Sequence, residues 1–143
     1  MSSPRPEPGL VIRYSYLWLR EHLQGREEGV KDRPCVIVLT VLDRDDETQT
    51  VVVPVTHSEP DNPDLALELP MAIKRHLGMD ADRSWVVLSE SNLFAWPGPD
   101  LRGTGSDSAI DYGLLPPRFF AELLRRFRAL ETTSRSAPVR RTE

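Results

Sequence analysis

Short apolar runs, separated by polar stretches that contain proline or glycine, dominate the first two thirds of the chain. Residues 9–18 are rich in β-branched and aromatic side chains that alternate imperfectly, which indicates a first strand. Residues 34–42 form a continuous apolar run that is too short for a typical helix, so they predict a strand buried on both faces. Residues 49–56 predict the next strand, and the charged turn before them favours a hairpin.

Proline and glycine mark where several predicted elements end. Pro54 cannot donate a hydrogen bond to a strand ladder, so its strand is expected at a sheet edge or with a bulge just before Thr56. Residues 65–69 predict a short strand. Residues 70–77 predict a short helix that begins at a proline and ends at Gly78.

The last third of the chain ends in a predicted helix. Strands are expected at 85–88 and again toward Trp96, and the stretch 97–113 is rich in glycine, proline and aspartate and predicts a loop. Residues 116–131 predict a helix because apolar side chains recur there at helical spacing. These side chains are Phe119, Phe120, Leu123, Leu124, Phe127 and Leu130.

Many short strands followed by one helix predict a mainly β (α+β) domain with a mostly antiparallel sheet. A small barrel is the natural solution, because closing a sheet removes its exposed edges. Residues 1–8 are expected to be a disordered leader, 9–131 a single domain with a short internal helix and a C-terminal helix, and 132–143 a disordered tail.

Charge and cysteine content narrow the functional classes. The 143 residues carry 18 basic and 22 acidic side chains, a formal net charge of −4, which argues against a protein that coats nucleic acid by bulk charge. Cys35 is the single cysteine, so an intrachain disulfide is excluded and a reducing compartment is expected. No apolar run reaches membrane-spanning length and no secretory signal begins the chain, so a cytoplasmic protein without a membrane partner is predicted.

Three segments in order resemble one known family. A strand entry at 9–12 is followed by a loop that contains glycine and glutamate, and this loop ends in Asp32-Arg33-Pro34 before a buried strand. The second segment is Val53-Pro54-Val55-Thr56, and the third is 88–96, with a terminal helix after it. This order resembles the MazF/PemK (Kid) toxins of type II toxin–antitoxin systems over about residues 9–130.

The resemblance implies an SH3-like barrel that forms a homodimer and cleaves single-stranded RNA, mostly mRNA, sequence-selectively without metal or cofactor. A cognate antitoxin protein would block the site. The catalytic arginine of the family falls on Arg33 and its hydroxyl residue on Thr56, while an acidic residue of the preceding loop falls on Glu27 or Glu28. Many relatives carry Asp-Gln beside the RNA groove, where this chain has Ser89-Glu90, so base preference does not carry over.

Cleavage by the neighbouring 2′-OH needs a base, an acid and a cation for the phosphorane. Arg33 suits the cationic role, Thr56 could hydrogen-bond a phosphate oxygen, and Glu27, Glu28 or His57 could move protons. The side chains expected to bind RNA are Glu27, Lys31, Ser89, Glu90 and Asn92, and no metal ligands are expected.

Two alternatives stay open. The terminal helix and tail, residues 118–143, carry 7 basic and 3 acidic side chains. This charge is compatible with a second hypothesis, a non-catalytic toxin of the same fold that binds DNA gyrase through this helix. The presence of Ser89-Glu90 in place of Asp-Gln is compatible with a third hypothesis, a degenerate relative that only binds a partner peptide. The stretch 59–84, which is longer than in compact members, could cover the RNA groove or reshape the dimer.

Overall fold

Antiparallel strands make up most of the regular structure. A computed structural model describes residues 5–19, 32–42, 47–96, 101–102, 111–131 and 138–140. In chain order these residues form β1 (Leu10–Tyr14), β2 (Arg33–Leu42), β3 (Thr48–Thr56), a 3-10 turn (Pro63–Leu65), β4 (Ala66–Glu68), α1 (Met71–His76), β5 (Trp85–Val87), β6 (Ser91–Trp96), β7 (Leu101–Arg102), β8 (Asp111–Leu114), α2 (Pro117–Glu131) and β9 (Pro138–Arg140).

Strand β3 lies at the centre of the sheet and changes partners along its length. One side pairs with β2, from Thr48 opposite Leu42 to Pro54 opposite Cys35. The other side pairs first with β6 over residues 48–52 and then with β5 at Val55 and Thr56. The expectation of an edge strand is therefore wrong. Proline is tolerated because Pro54 lies between these two pairings, where no second strand needs its missing N–H.

Strand β2 is buried along only part of its length. Residues 35–38 are buried, but Leu39, Val41 and Leu42 are 48%, 51% and 65% exposed. The register with β3 shifts between Ile37 and Leu39, which is a bulge or similar irregularity. Burial on both faces, expected for the whole apolar run, is thus confirmed for its first half only, because Leu39, Val41 and Leu42 belong to neither core cluster.

Two hydrophobic clusters form the core, and alternate residues of the strands supply them. One cluster joins Val36, Val53 and Val86 to Leu123 and Phe127 of the C-terminal helix. The other is aromatic, and in it the rings of Tyr14 and Phe94 stack with centroids 4.6 Å apart. Successive strand residues point to opposite faces, so a sheet with both faces covered needs apolar residues at consecutive positions.

The predicted fold class is confirmed. The protein is mainly β, with a mostly antiparallel, barrel-like sheet, a short internal helix and a C-terminal helix. Helix α1 ends as expected before Gly78, whose φ of +71° is a conformation that favours glycine. Within the part of the chain that the structure describes, no helix is both long enough and apolar enough to cross a membrane.

Two stretches without a clear strand pattern nevertheless form strands. The expected loop at 97–113 contains β7 and part of β8, which both pair with the outer side of β1. The expected disordered tail contains β9, which runs parallel to β6 with Val139 opposite Asn92. Both corrections have the same physical cause: an open sheet edge supplies the hydrogen bonds, so very short segments become strands without their own hydrophobic periodicity.

The helix-to-sheet packing is tested by truncating its central side chain. Leu123→Ala is expected to lower the free energy of unfolding by about 2–5 kcal/mol, because Leu123 has no exposed surface and its loss leaves a cavity. Chemical denaturation measures the change. The matched control is Leu114→Ala on β8, where the side chain is 48% exposed and a cost below about 1 kcal/mol is expected. Equal costs at the two positions would contradict this packing.

Candidate functional site

A cleft of about 840 Å³ opens where β2 begins and β3 ends. Arg33 and Thr56 come from the two strand ends, and His57 follows directly. The 58–62 loop and Asp80, which lies between α1 and β5, complete much of its wall. The cleft therefore collects side chains that are far apart in the sequence around one end of the sheet.

Arg33 and Thr56 are neighbours across β2 and β3. The β2–β3 ladder pairs Cys35 with Pro54 as its last pair, and the same register extended by two residues puts Arg33 opposite Thr56, where both side chains line the cleft. Arg33 Nη1 donates a hydrogen bond to the Val55 carbonyl oxygen at 3.4 Å. Its Cζ lies 4.8 Å from the centroid of the Trp18 ring, within cation–π range. The guanidinium is thus held on two sides at the cleft wall.

The Thr56 hydroxyl retains donor capacity. Its Oγ1 accepts a hydrogen bond from the Ser58 backbone N–H at 3.1 Å, which closes a tight turn after β3. A hydroxyl that accepts one hydrogen bond still has its own hydrogen to donate. Thr56 is half-buried and lines the cleft, so this hydrogen can serve a ligand oxygen there.

His57 belongs to a network that the sequence pattern did not indicate. Its Nε2 lies 2.9 Å from Asp80 Oδ2, and Asp80 Oδ1 accepts a hydrogen bond from Lys74 Nζ at 2.6 Å. Lys74 has no exposed surface, and its ammonium also donates to Ser84 Oγ at 2.7 Å and to the Asp82 carbonyl oxygen. A buried charge is tolerated when it is paired and hydrogen-bonded, as this one is.

The Lys74 network acts on the ionisation of Asp80. Partial burial favours the neutral acid, but hydrogen bonds from Lys74, the Asp82 N–H and His57 outweigh it and hold the pKa of Asp80 below its ordinary value of 3.8. Asp80 is therefore an ionised acceptor at neutral pH. The one sequence signal for Lys74 is its rarity, because it is one of two lysines in a chain with 16 arginines.

A cation site at this cluster is disfavoured by charge. His57, Asp80 and Asp82 bring potential ligand atoms within 4.8 Å of one another. However, the Lys74 ammonium already binds Asp80 Oδ1 and the Asp82 carbonyl, and a second cation beside it would meet like-charge repulsion. We therefore assign these side chains to hydrogen bonding and name no metal ligands.

The side chains expected to bind RNA do not share one role. Ser89 lines the cleft, and its binding to RNA stays a prediction. Glu90 accepts hydrogen bonds at Oε1 from the Tyr16 hydroxyl at 3.1 Å and from the Leu19 N–H at 2.9 Å. Burial, together with the nearby Glu90 carboxylate, raises the pKa of Tyr16 well above its ordinary value. Glu90 thereby anchors the segment that carries Trp18, the residue under the Arg33 guanidinium.

Asn92 is a correction to the sequence analysis. It is fully buried, its Oδ1 accepts from the Leu17 N–H at 2.9 Å, and its Nδ2 donates to the Leu17 carbonyl at 2.8 Å. A side chain with no exposed surface and a committed amide cannot contact RNA in this arrangement, and its role is structural. Glu27, Glu28 and Lys31 lie outside the described residues.

The basic C-terminal helix stands apart from the cleft, since none of its residues lines it. Part of its positive charge is neutralised on the helix itself. Glu122 accepts hydrogen bonds from Arg125 and Arg126, and these bonds lower the pKa of Glu122 to about 2. This arrangement matches a solvated helix face stabilised by ion pairs between neighbouring turns.

Comparison with known proteins adds no relative: no protein-family model matches the chain, and no curated protein matches it significantly. The functional argument therefore depends on the cleft and its side chains.

Loss of the Asp80 carboxylate is expected to destabilise the protein, because it removes the charged acceptor of the buried Lys74 ammonium. Asp80→Asn should lower the free energy of unfolding at neutral pH by about 1–2 kcal/mol, because Lys74 stays buried with a weaker acceptor. The folded-state pKa of Asp80 lies below 3.8, so the wild type holds this stability above that value and loses it as pH falls through the folded pKa. Urea denaturation of both proteins measures the difference.

The pH dependence of the stability loss in Asp80→Asn distinguishes a lost ion pair from a non-specific structural effect of the substitution. The gap between wild type and Asp80→Asn should shrink on moving from neutral pH into acid below the ordinary aspartate pKa. Asp64→Asn, at an exposed position in the 3-10 turn, serves as the matched control and should change stability by less than about 0.5 kcal/mol. A gap that is the same at both pH values would count against the Lys74–Asp80 interaction.

Proposed function

We propose that the protein is a metal-independent endoribonuclease of the MazF/PemK toxin type, which cleaves single-stranded RNA by attack of the 2′-OH. The observation that carries this proposal is the meeting of Arg33, Thr56 and His57 in one cleft. This reaction requires a base, an acid and a cation, and the cleft supplies a cation, a hydroxyl donor and a group able to transfer protons.

In the proposed reaction the 2′ oxygen forms a bond to phosphorus while the bond from phosphorus to the 5′ oxygen breaks. The products are a 2′,3′-cyclic phosphate and a 5′-hydroxyl. Arg33 stabilises the charge that develops on the phosphorane, and its planar fork can hold two phosphate oxygens. Thr56 donates its hydroxyl hydrogen to a non-bridging oxygen, and His57 takes part in proton transfer.

The surroundings of Arg33 hold its guanidinium in a defined position, which supports the cationic role proposed for it. Pro34 restricts the backbone of Arg33 to extended geometry, which sets the direction from which the side chain leaves β2. The Val55 carbonyl and the Trp18 ring then hold the guanidinium from two sides. A pre-positioned cation stabilises a developing charge without reorganisation during the reaction.

The wider proposal follows the same toxin type. The protein would act in the cytoplasm as a homodimer on mRNA, and a cognate antitoxin protein would cover the cleft. Its selectivity for base sequence would depend on contacts at the cleft wall, where Ser89 lies. The gyrase-binding alternative has less support, because it gives no role to Arg33 and Thr56 in a common cleft.

The decisive variant removes the cation of the cleft. Arg33→Ala is expected to lower the rate constant of cleavage about 10²–10³-fold, because the phosphorane loses its charge partner. Arg33→Lys should recover only part of the rate, since an ammonium lacks the planar fork. Purified, antitoxin-free protein is incubated with diverse single-stranded RNAs in EDTA, and the products are analysed for 2′,3′-cyclic phosphate ends.

The matched control is Arg118→Ala on α2, where the side chain is exposed and does not line the cleft. This variant should cleave at the wild-type rate. Wild-type protein that leaves all the RNAs intact, both with and without added divalent metal, would refute the enzymatic proposal. Full activity in Arg33→Ala would refute the assignment of the site.

A further inference from the structure

We propose that Asp80 and Lys74 are positioning residues that hold His57 for proton transfer, with His57 Nδ1 as the nitrogen that removes the 2′-OH proton. This inference rests on the proposed cleavage activity and adds to it a specific base, its tautomer and the two groups that support it. The network is a chain of contacts from a buried cation to the cleft: Lys74 to Asp80, and Asp80 to His57.

The hydrogen bonds determine which nitrogen of His57 carries the proton. Asp80 is ionised, and a carboxylate can only accept hydrogen bonds. At 2.9 Å from Oδ2, the Nε2 atom of His57 must therefore be the donor, so Nε2 bears the hydrogen. In the neutral ring the lone pair is then on Nδ1. This is the same logic by which a carboxylate orients a catalytic histidine in other hydrolases.

Lys74 keeps the Asp80 carboxylate in place. Its ammonium has three acceptors, two of which are Ser84 Oγ and the Asp82 carbonyl oxygen, and it has no exposed surface. Water cannot replace any of these acceptors, because the ammonium is shielded from solvent. The hydrogen bond of 2.6 Å between Lys74 Nζ and Asp80 Oδ1 therefore holds both groups in place. Asp80 itself is about half exposed, with a side-chain exposure of 52%, and without this anchor it would behave as a surface carboxylate.

The backbone between α1 and β5 brings Asp80 to the cleft. Gly78 turns the chain with a positive φ, and the Met79 N–H donates to the Lys74 carbonyl at 2.9 Å. The Asp82 N–H then donates to Asp80 Oδ1 at 3.1 Å. The segment after α1 is thus wrapped around the Lys74 side chain, and it presents Asp80 Oδ2 to His57.

The proton balance of the step is complete with the groups named. As the 2′ oxygen attacks phosphorus, its proton passes to His57 Nδ1 and the ring becomes an imidazolium, which Asp80 faces through Nε2–H. The bond to the 5′ oxygen breaks, and that oxygen takes a proton from water. The imidazolium returns its proton to solvent before the next cycle.

A double-mutant cycle tests whether Asp80 acts through His57. His57→Ala is expected to lower kcat about 10²–10³-fold, and Asp80→Asn at least about tenfold, with KM within about threefold of wild type in both. The double variant His57→Ala/Asp80→Asn should be no slower than His57→Ala alone, because Asp80 has nothing left to position. Independent, multiplicative losses would overturn the proposal.

Lys74 is tested in the same assay. Lys74→Met should reproduce the kcat loss of Asp80→Asn, and added imidazole should restore part of the activity of His57→Ala. If Lys74→Met does not fold, Ser84→Ala removes one ammonium acceptor and should give a smaller loss of kcat in a folded protein. Asp64→Asn is the control that removes an aspartate charge outside the cleft lining, and it should keep the wild-type kcat.

A second measurement needs no activity. In ¹⁵N-labelled protein, the neutral His57 ring should show a single tautomer with the hydrogen on Nε2, whereas Asp80→Asn should show a mixture of both tautomers. A mixed ring in the wild type, or an unchanged single tautomer in Asp80→Asn, would overturn the positioning role. A wild type with the expected tautomer but without RNA cleavage would instead refute the proposed function and leave the His57–Asp80–Lys74 arrangement standing.

Discussion

The change of partners along β3 is the constraint on which the arrangement of the molecule depends. Residues 48–52 of β3 pair with β6, whereas Val55 and Thr56 pair with β5. On the other side of β3, strand β2 pairs with it from Thr48 to Pro54. A strand that serves two neighbours in succession ties the main sheet to the β4–β5 pair. Its last residues therefore lie where the start of β2 and the segment after α1 meet. The cleft forms at that junction, because none of these elements continues past it.

The buried ammonium of Lys74 determines the shape of the stretch between β4 and β5. Transferring a lysine charge from water into the interior costs several kcal/mol unless acceptors replace the lost hydration. Asp80, Asp82 and Ser84 supply those acceptors within ten residues of Lys74. A path of this segment that moved these acceptors away would leave the charge unpaired, so burial of the cation favours the observed loop conformation. That specificity also fixes the carboxylate that faces His57.

Local sequence patterns were sufficient for the elements that carry their own periodicity. The apolar run of β2 and the recurring leucine and phenylalanine positions of α2 predicted both elements almost to their ends. Strands β7, β8 and β9 have two to four residues each, and one of them contains Gly113. Such segments become strands because β1 and β6 offer open edges, and this information lies in the partner strand rather than in the segment.

The residues of the candidate site also fall into two groups, those that the sequence could indicate and those whose role depends on tertiary contacts. Arg33 and Thr56 were selected through the family resemblance and His57 because it follows Thr56, and the structure places all three in the lining of one cleft. Asn92 was selected by its position in a motif, but its amide completes the backbone hydrogen bonds of Leu17. Whether an asparagine binds a ligand or a buried backbone depends on tertiary contacts. Sequence spacing does not contain those contacts.

The charge of the cleft shapes how a nucleic acid could bind. Arg13 and Arg33 supply its arginine side chains, while Asp32, Glu59, Asp61 and Asp80 supply carboxylates. A polyanion tracked along its whole backbone would meet repulsion from this wall, so the cleft favours close contact with a single phosphate at Arg33. Carboxylates can instead accept hydrogen bonds from the amino groups of bases. For the proposed activity, affinity would then come from base contacts and stacking more than from bulk charge, which agrees with a net-acidic chain.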